Sequence, residues 1–140
     1  MSYNVLIVDD SKSMRRVILK TLQLSGFDLG ESIEASNGQE ALAILEDNWV
    51  DLILSDVHMP VMDGIEFIKN LREKDICRDT PMIFVTTEAN EDRLNQLMEL
   101  GASGYIRKPF RPEEIRALLS RIMGETDGFR TGTSAEGCDF

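Results

Sequence analysis

Four short apolar runs of the chain are each followed by a side chain that can bind a cation or a phosphate. Asp9 and Asp10 follow VLIV, Asp56 follows LILS, Thr86 follows MIFV, and Lys108 follows GYI after one intervening arginine. If these runs are parallel strands of one sheet, their carboxyl ends meet at one edge, where the functional groups of open α/β sheets gather. The spacing therefore predicts an acidic cluster with a lysine beside it.

Three carboxylates held close together need a counter-charge. Each pair of like charges at about 4 Å repels by roughly 4 kcal/mol at an effective dielectric constant near 20, and one lysine leaves the cluster negative. A hard divalent cation would neutralise it, and Mg²⁺ is favoured because it accepts few protein oxygens and keeps several waters. A carboxylate beside Mg²⁺ and a lysine can attack phosphorus, since phosphoryl transfer depends chiefly on positioning and charge neutralisation. This arrangement predicts an aspartyl phosphate, with the Thr86 hydroxyl bonded to a phosphoryl oxygen.

Each of these residues also has an ordinary interpretation when it stands alone. Paired acids after a strand often only begin a helix, a threonine there often caps one, and a lone lysine is usually a solvated surface charge. Their conjunction at successive strand ends favours a functional site.

The elements that would position these residues alternate along the chain. Strands are predicted at 5–8, 32–35, 52–55, 82–85 and 104–106. Between them apolar residues recur at helical spacing, and two further helices are predicted at about 91–100 and 112–123. The first, third and fourth strands are apolar throughout, which is typical of central parallel strands covered by helices on both faces. The sequence therefore predicts a doubly wound α/β fold of five strand-helix units.

Charge and composition exclude several classes of function. The 140 residues carry a formal net charge of −10, which argues against binding of nucleic acid by this domain. No apolar run is long enough for membrane insertion and the start lacks a signal-peptide pattern, so we expect a cytoplasmic protein. Cys77 and Cys138 form neither a metal-site pattern nor a disulfide framework. Residues 124–140 are rich in Gly, Thr and Ser and are predicted to be a flexible C-terminal tail.

Four segments together resemble one known family, the receiver domains of two-component response regulators, most nearly the CheY-like, single-domain chemotaxis type. They are VLIVDDSKSMRR, LILSDVHMPVMDG, FVTTEA and GASGYIRKPF, and the resemblance runs from about Asn4 to Met123. It implies a receiver domain over 1–123 with a flavodoxin-like parallel sheet in the order 2-1-3-4-5. Ser11 and Val57 stand where some relatives have aromatic residues, which weakens an assignment to motility.

The resemblance also assigns roles in phosphorylation. It implies that Asp56 is the phosphoacceptor and that Lys108 pairs with the phosphoryl group. It implies a Mg²⁺ ion bound by four groups: the carboxylates of Asp9, Asp10 and Asp56 and the backbone carbonyl of His58.

A second set of implied roles concerns the response to phosphorylation. Thr86 and Tyr105 would form a switch that alters the face made by helix 4, strand 5 and helix 5. His58 and Glu88, two positions beyond Asp56 and Thr86, would influence the lifetime of the acyl phosphate. The Lys108–Pro109 peptide bond would be cis, as proline permits.

The implied partners are a sensor histidine kinase, which donates the phosphoryl group, and a downstream protein that binds the altered face. Such a domain is not an enzyme for a separate substrate, because it promotes only its own phosphorylation and dephosphorylation. We expect a monomer, or a weak dimer that forms on phosphorylation.

Other interpretations stay open. The chain is either a complete regulator or a receiver fragment of a larger one, and a pseudo-receiver that is never phosphorylated remains an alternative. A magnesium-dependent phosphatase is disfavoured because Ser11 stands where its second acid belongs. A flavin-binding protein is disfavoured because Asp9 and Asp10 would repel the FMN phosphate.

Overall fold

Strands and helices alternate throughout residues 2–124, the part of the chain that this computed structural model describes. The strands are β1 (Tyr3–Val8), β2 (Leu29–Ala35), β3 (Leu52–Ser55), β4 (Met82–Thr86) and β5 (Gly104–Arg107). The helices are α1 (Lys12–Leu24), α2 (Gly38–Asp47), α3 (Gly64–Glu73), α4 (Glu91–Glu99) and α5 (Pro112–Met123). Beyond Gly124, the segment predicted as a tail lies outside the described residues.

The five strands form one parallel sheet in the order β2-β1-β3-β4-β5. Every residue of β3 and β4 is buried, because helices cover both faces of these central strands. Alternate residues of β1 point to opposite faces: Leu6 and Val8 join the apolar layer under α2, α3 and α4, while Val5 and Ile7 join the layer under α1 and α5. The predicted doubly wound fold and strand order are confirmed.

Side-chain caps begin four of the five helices at the carboxyl edge of the sheet. Each cap accepts a hydrogen bond from a backbone N–H of the first turn, which satisfies a donor that the helix itself leaves unpaired. The capping residues are Ser11, Asn37, Asp63 and Asn90. Because α4 is capped by Asn90, neither Thr86 nor Thr87 serves as its cap.

Within residues 2–124, no helix is both long enough and apolar enough to cross a bilayer.

Gly64 lets the start of α3 lie directly against the backbone of Asp56 and Val57, the residues that follow β3. A Cβ atom at Gly64 would lie 2.6 Å from the backbone oxygen of Asp56, 2.7 Å from Phe84 Cε1 and 2.9 Å from Val57 Cα. The Gly64 N–H donates a 2.7 Å hydrogen bond to the Val57 carbonyl. The absence of a side chain therefore helps to fix the position of Asp56.

Gly64→Ala is expected to lower the free energy of unfolding by about 2–3 kcal/mol, because the added methyl group meets buried backbone atoms that have no room to move. Urea unfolding followed by circular dichroism measures this loss. Gly104→Ala is the matched control, since its Cβ would meet only the ends of side chains: Leu118 at 3.2 Å, Ile122 at 3.3 Å and Arg121 at 3.9 Å. Equal losses in the two variants would contradict the close approach at Gly64.

Candidate functional site

Three carboxylates meet at the carboxyl edge of the neighbouring strands β1 and β3. Asp9 and Asp10 follow β1, and Asp56 follows β3, with which β1 pairs. One oxygen atom from each carboxylate lies within 4.8 Å of the other two. Asp9 is 1% exposed and Asp56 is 8% exposed, whereas Asp10 is exposed to solvent. The structure thus brings together the three acids that the sequence singled out.

Lys108 lies between two of these acids. Its Nζ atom donates to Asp9 Oδ2 at 3.1 Å and to Asp56 Oδ2 at 3.2 Å, and its side chain is 10% exposed. Burial alone would lower the pKa of this ammonium group, but the hydrogen bond to Asp9 and the negative charges of Asp56 and Asp9 outweigh it and hold the pKa above its ordinary value. Lys108 therefore stays charged at neutral pH. The Lys108–Pro109 peptide bond is cis, as the resemblance implied.

The donor set of the cluster fits Mg²⁺. Its three nearby donors are carboxylate oxygens, the ligand type that Mg²⁺ prefers, and oxygens on opposite sides of one Mg²⁺ lie about 4.2 Å apart. Separations within 4.8 Å therefore need only small rotations of the side chains. In the described part of the chain, the His58 carbonyl accepts no backbone hydrogen bond. One lysine against three carboxylates leaves a charge that a divalent cation would neutralise.

Asp10→Asn is expected to stabilise the Mg²⁺-free protein by up to about 1 kcal/mol, because it removes like-charge repulsion at a solvent-screened position. It is also expected to weaken the stabilisation that Mg²⁺ produces in the wild type. Urea unfolding with EDTA and with Mg²⁺ measures both effects. Asp79→Asn makes the same chemical change away from the acidic cluster, in the exposed loop that leads into β4, and should behave as wild type. If Asp10→Asn keeps the full Mg²⁺ effect, this carboxylate does not bind the ion.

Thr86 lies at the end of β4, beside the acidic cluster. It is fully buried, its backbone carbonyl accepts a 2.9 Å hydrogen bond from the Lys108 N–H, and its hydroxyl oxygen accepts from the Glu88 N–H at 3.1 Å. Accepting that bond leaves the hydroxyl proton available to a further acceptor. Tyr105 lies opposite Phe84 in the pairing of β4 with β5, and its side chain is 40% exposed at the surface.

A chain of polar contacts joins the loops that follow β3 and β4. His58 Nε2 lies 2.9 Å from Glu88 Oε1, and Arg93 Nη1 lies 3.5 Å from the same oxygen. The Asn90 N–H donates to Glu88 Oε2 at 2.9 Å. The hydrogen bonds from Asn90 and His58 and the charge of Arg93 hold the pKa of Glu88 below its ordinary value. Glu88 is thus ionised, and it links the loop that follows β3, through His58, to the first turn of α4, through Arg93.

Sequence reasoning missed the structural part played by Arg15. Its Nη1 atom donates to the backbone carbonyl of Asp9 at 2.6 Å, and its Nε atom donates to Glu34 Oε1 at 2.7 Å. The guanidinium group thereby fixes the end of β1 against β2. A cation near a helix N-terminus is electrostatically unfavourable, and that local mismatch is the signal that could have identified it.

Comparisons with known proteins relate the chain to one family. The family model described as "Response regulator receiver domain" matches residues 5–120. The chain is 37% identical over 125 residues to the chemotaxis protein CheY homolog of Campylobacter jejuni, which covers 89% of this chain and 95% of that protein.

A second relative is longer than this chain. The phosphate regulon transcriptional regulatory protein PhoB of Pseudomonas aeruginosa is 38% identical over 122 residues, covering 87% of this chain and 52% of that protein. The chain therefore spans about half the length of that relative.

The solved structures give the same assignment. The chemotaxis response regulator CheY4 of Vibrio cholerae is similar with a TM-score of 0.76 and 38% identity, covering 87% of this chain and 99% of that chain. Its fold, the matched family model and the acidic edge of the sheet agree. The chain belongs to the response regulator receiver domain family and is CheY-like.

Proposed function

We propose that this chain accepts a phosphoryl group on Asp56 from a sensor histidine kinase, with Mg²⁺ in the acidic cluster, and thereby changes its affinity for a downstream protein. The observation that carries the proposal is the position of the Lys108 ammonium group, 3.1 Å from Asp9 Oδ2 and 3.2 Å from Asp56 Oδ2. Receiver domains are signalling proteins rather than classical enzymes, and in general they work with a histidine kinase and a downstream target.

The residues of the cluster divide the chemistry between them. A carboxylate oxygen of Asp56 attacks phosphorus, and the bond from phosphorus to the donor's leaving atom breaks as the new P–O bond forms. Lys108, already beside Asp56, binds a phosphoryl oxygen, and the Thr86 hydroxyl donates to another. Asp9, Asp10, Asp56 and the His58 carbonyl would hold Mg²⁺, which would supply positive charge to neutralise the phosphoryl oxygens.

A change in the partner-binding face follows from the position of Thr86. Phosphorylation can favour one conformer only through contacts that differ between the two conformers, and a Thr86 hydroxyl drawn to the phosphoryl group is such a contact. Tyr105, on the neighbouring strand and 40% exposed, then turns inward. The face formed by α4, β5 and α5 changes as a result, and the downstream protein binds there. The exposed Met98, Arg107 and Arg111 on this face support a protein partner.

The relatives favour two pathways. Similarity to the Campylobacter jejuni CheY homolog over 95% of its length supports a chemotaxis-like role. Similarity to half of PhoB supports the alternative of a receiver that works within a larger regulator. In both cases the phosphorylation chemistry at Asp56 is the same.

Incubation with acetyl phosphate tests the proposal without knowledge of the kinase. Intact mass spectrometry of the wild type is expected to detect one added phosphoryl group, lost in alkali as an acyl phosphate is. Omission of Mg²⁺ or addition of EDTA is expected to prevent the adduct. If no adduct forms with Mg²⁺ present, in a protein that unfolds cooperatively, the pseudo-receiver interpretation replaces this one.

A further inference from the structure

A groove of about 690 Å³ opens at the amino-terminal edge of the sheet, at the opposite ends of the strands from Asp56. Two loops form it: residues 45–51, which lead into β3, and residues 76–81, which lead into β4. The Thr80 hydroxyl donates to the Val50 carbonyl at 3.4 Å and joins the loops. The Asp51 carboxylate accepts the Asn4 N–H at 2.7 Å and joins the first loop to β1. The groove is therefore a preformed feature of the fold.

The floor of this groove is apolar and its rim carries an exposed aromatic ring. Leu45 and Val50 are buried in the floor, and Ile76 and Pro81 are partly buried beside them. Trp49, the single tryptophan of the chain, is 71% exposed. In the described part of the chain, no hydrogen bond involves its indole N–H. A large aromatic side chain left in water beside an apolar groove is typical of a binding surface.

The charge of the groove selects the kind of partner. Four acids line it against one arginine. That arginine, Arg78, is already bound by Asp75 through two hydrogen bonds of 2.9 and 2.7 Å. The remaining exposed carboxylates belong to Glu46, Asp47 and Asp79. The potential in the groove is therefore negative, and a basic ligand is attracted to it.

We propose that this groove, formed by residues 45–51 and 76–81, binds a basic segment of a partner protein. An apolar or aromatic side chain of the segment packs against Trp49 and the groove floor, and flanking lysine or arginine side chains face Glu46, Asp47 and Asp79. A cation placed over the Trp49 ring gains a further cation–π attraction. The surface is separate from the α4-β5-α5 face and from the phosphorylation site.

Charge disfavours the other occupants. Residues 125–140 of the same chain carry four acids and one arginine, so like charges would meet in the groove. A second copy carries a net charge of −10, and nucleic acid is uniformly negative. A basic protein segment alone complements both the charge and the apolar floor.

Trp49 fluorescence tests the proposal directly, because no other tryptophan contributes. The probe is the blocked hexapeptide Lys-Arg-Leu-Phe-Lys-Arg, and its comparisons are Lys-Arg-Ser-Ser-Lys-Arg and Asp-Glu-Leu-Phe-Asp-Glu. We expect only the first peptide to produce a saturable shift of emission to shorter wavelength at low salt. Equal binding of the serine peptide would overturn the proposal, because charge alone would then account for binding. Equal binding of the acidic peptide would also overturn it, because apolar contact alone would then account for binding.

Two variants of equal net charge separate the groove from the general acidity of the protein. The first neutralises the groove with Glu46→Gln, Asp47→Asn and Asp79→Asn, and the second changes three exposed acids elsewhere, Glu31→Gln, Glu99→Gln and Glu113→Gln. The groove variant is expected to weaken peptide binding about tenfold, or about 1.4 kcal/mol in total for the three lost charge pairs. The second variant should bind as the wild type does.

Three further outcomes decide the matter. Equal affinity of the two variants would overturn the proposal. A peptide-independent shift of Trp49 emission that accompanies a dimer on concentration would assign the groove to a second copy and also overturn it. Asp56→Asn is expected to bind the basic peptide as the wild type does, so that this test is independent of the proposed phosphorylation.

Discussion

Asp56→Asn is expected to abolish phosphoryl transfer from acetyl phosphate, so that the intact mass stays that of the unmodified chain. An amide nitrogen or oxygen is a far weaker nucleophile than a carboxylate, and Asp9, the other buried acid of the cluster, is poorly placed to substitute for Asp56. Asp9 is 1% exposed and its two oxygens accept from the Ser11 N–H and from Lys108. Intact mass spectrometry after incubation with Mg²⁺ measures the result.

The control for this variant must keep the change from Asp to Asn and leave the cluster intact. Asp79→Asn satisfies this and should form the same single adduct as the wild type. An adduct of one phosphoryl group on the Asp56→Asn protein would refute Asp56 as the sole acceptor. Peptide mapping would then decide between Asp9 and Asp10.

Lys108→Met is expected to lower the free energy of unfolding in EDTA by about 2–4 kcal/mol, because it leaves the buried Asp9 without a counter-charge. It is also expected to reduce the rate of adduct formation on Asp56 by at least about a hundredfold, since one positive charge beside the reacting oxygens is lost. Urea unfolding and time-resolved mass spectrometry measure the two effects.

The pH dependence of this loss follows from the raised pKa of Lys108. A base whose pKa is raised in the folded state contributes its full stabilisation below its unfolded pKa, which for lysine is about 10.4. That contribution is lost only as the pH rises through the higher folded-state pKa. Titration of Lys108 should therefore not change the difference between wild type and Lys108→Met at about pH 6–9.

A double variant tests the cause of the destabilisation. Adding Asp9→Asn to Lys108→Met removes the unpaired buried charge, so part of the lost stability should return. Addition of Mg²⁺ to the single variant should also restore stability, since the ion supplies the missing positive charge. A double variant less stable than Lys108→Met, with no effect of Mg²⁺, would mean that Lys108 acts through the packing of its side chain rather than through its charge.

The architecture was predictable because apolar runs and helical spacing carry most of its information. The continuously apolar strands identify β1, β3 and β4 as central, and the sheet order is the one that the family resemblance implies. The apolar pattern predicts that β2 starts at residue 32, three residues later than its observed start at Leu29, because Gly30 and Glu31 are exposed and give no apolar signal.

The convergence of the acids was also predictable, since parallel strands bring their carboxyl ends together. The contacts around the cluster were not. The positions of His58 and Glu88 in the sequence do not reveal their 2.9 Å contact, because it joins loops 30 residues apart. The left-handed backbone of Val61, with φ of 69°, is equally hidden, because a β-branched residue rarely adopts that conformation.

The two outer strands of the sheet have a consequence for self-association. β2 exposes Gly30, Glu31 and Glu34 along its length, and β5 is only 4 residues long and exposes Tyr105 and Arg107. Charged side chains on an edge strand disfavour pairing of its free backbone donors and acceptors with a strand of another molecule. A short edge strand also offers such a strand few hydrogen bonds. Continuous β-sheet between molecules, and the fibrous aggregates that grow from it, are thus disfavoured, so any dimer of this protein is expected to form through helical surfaces.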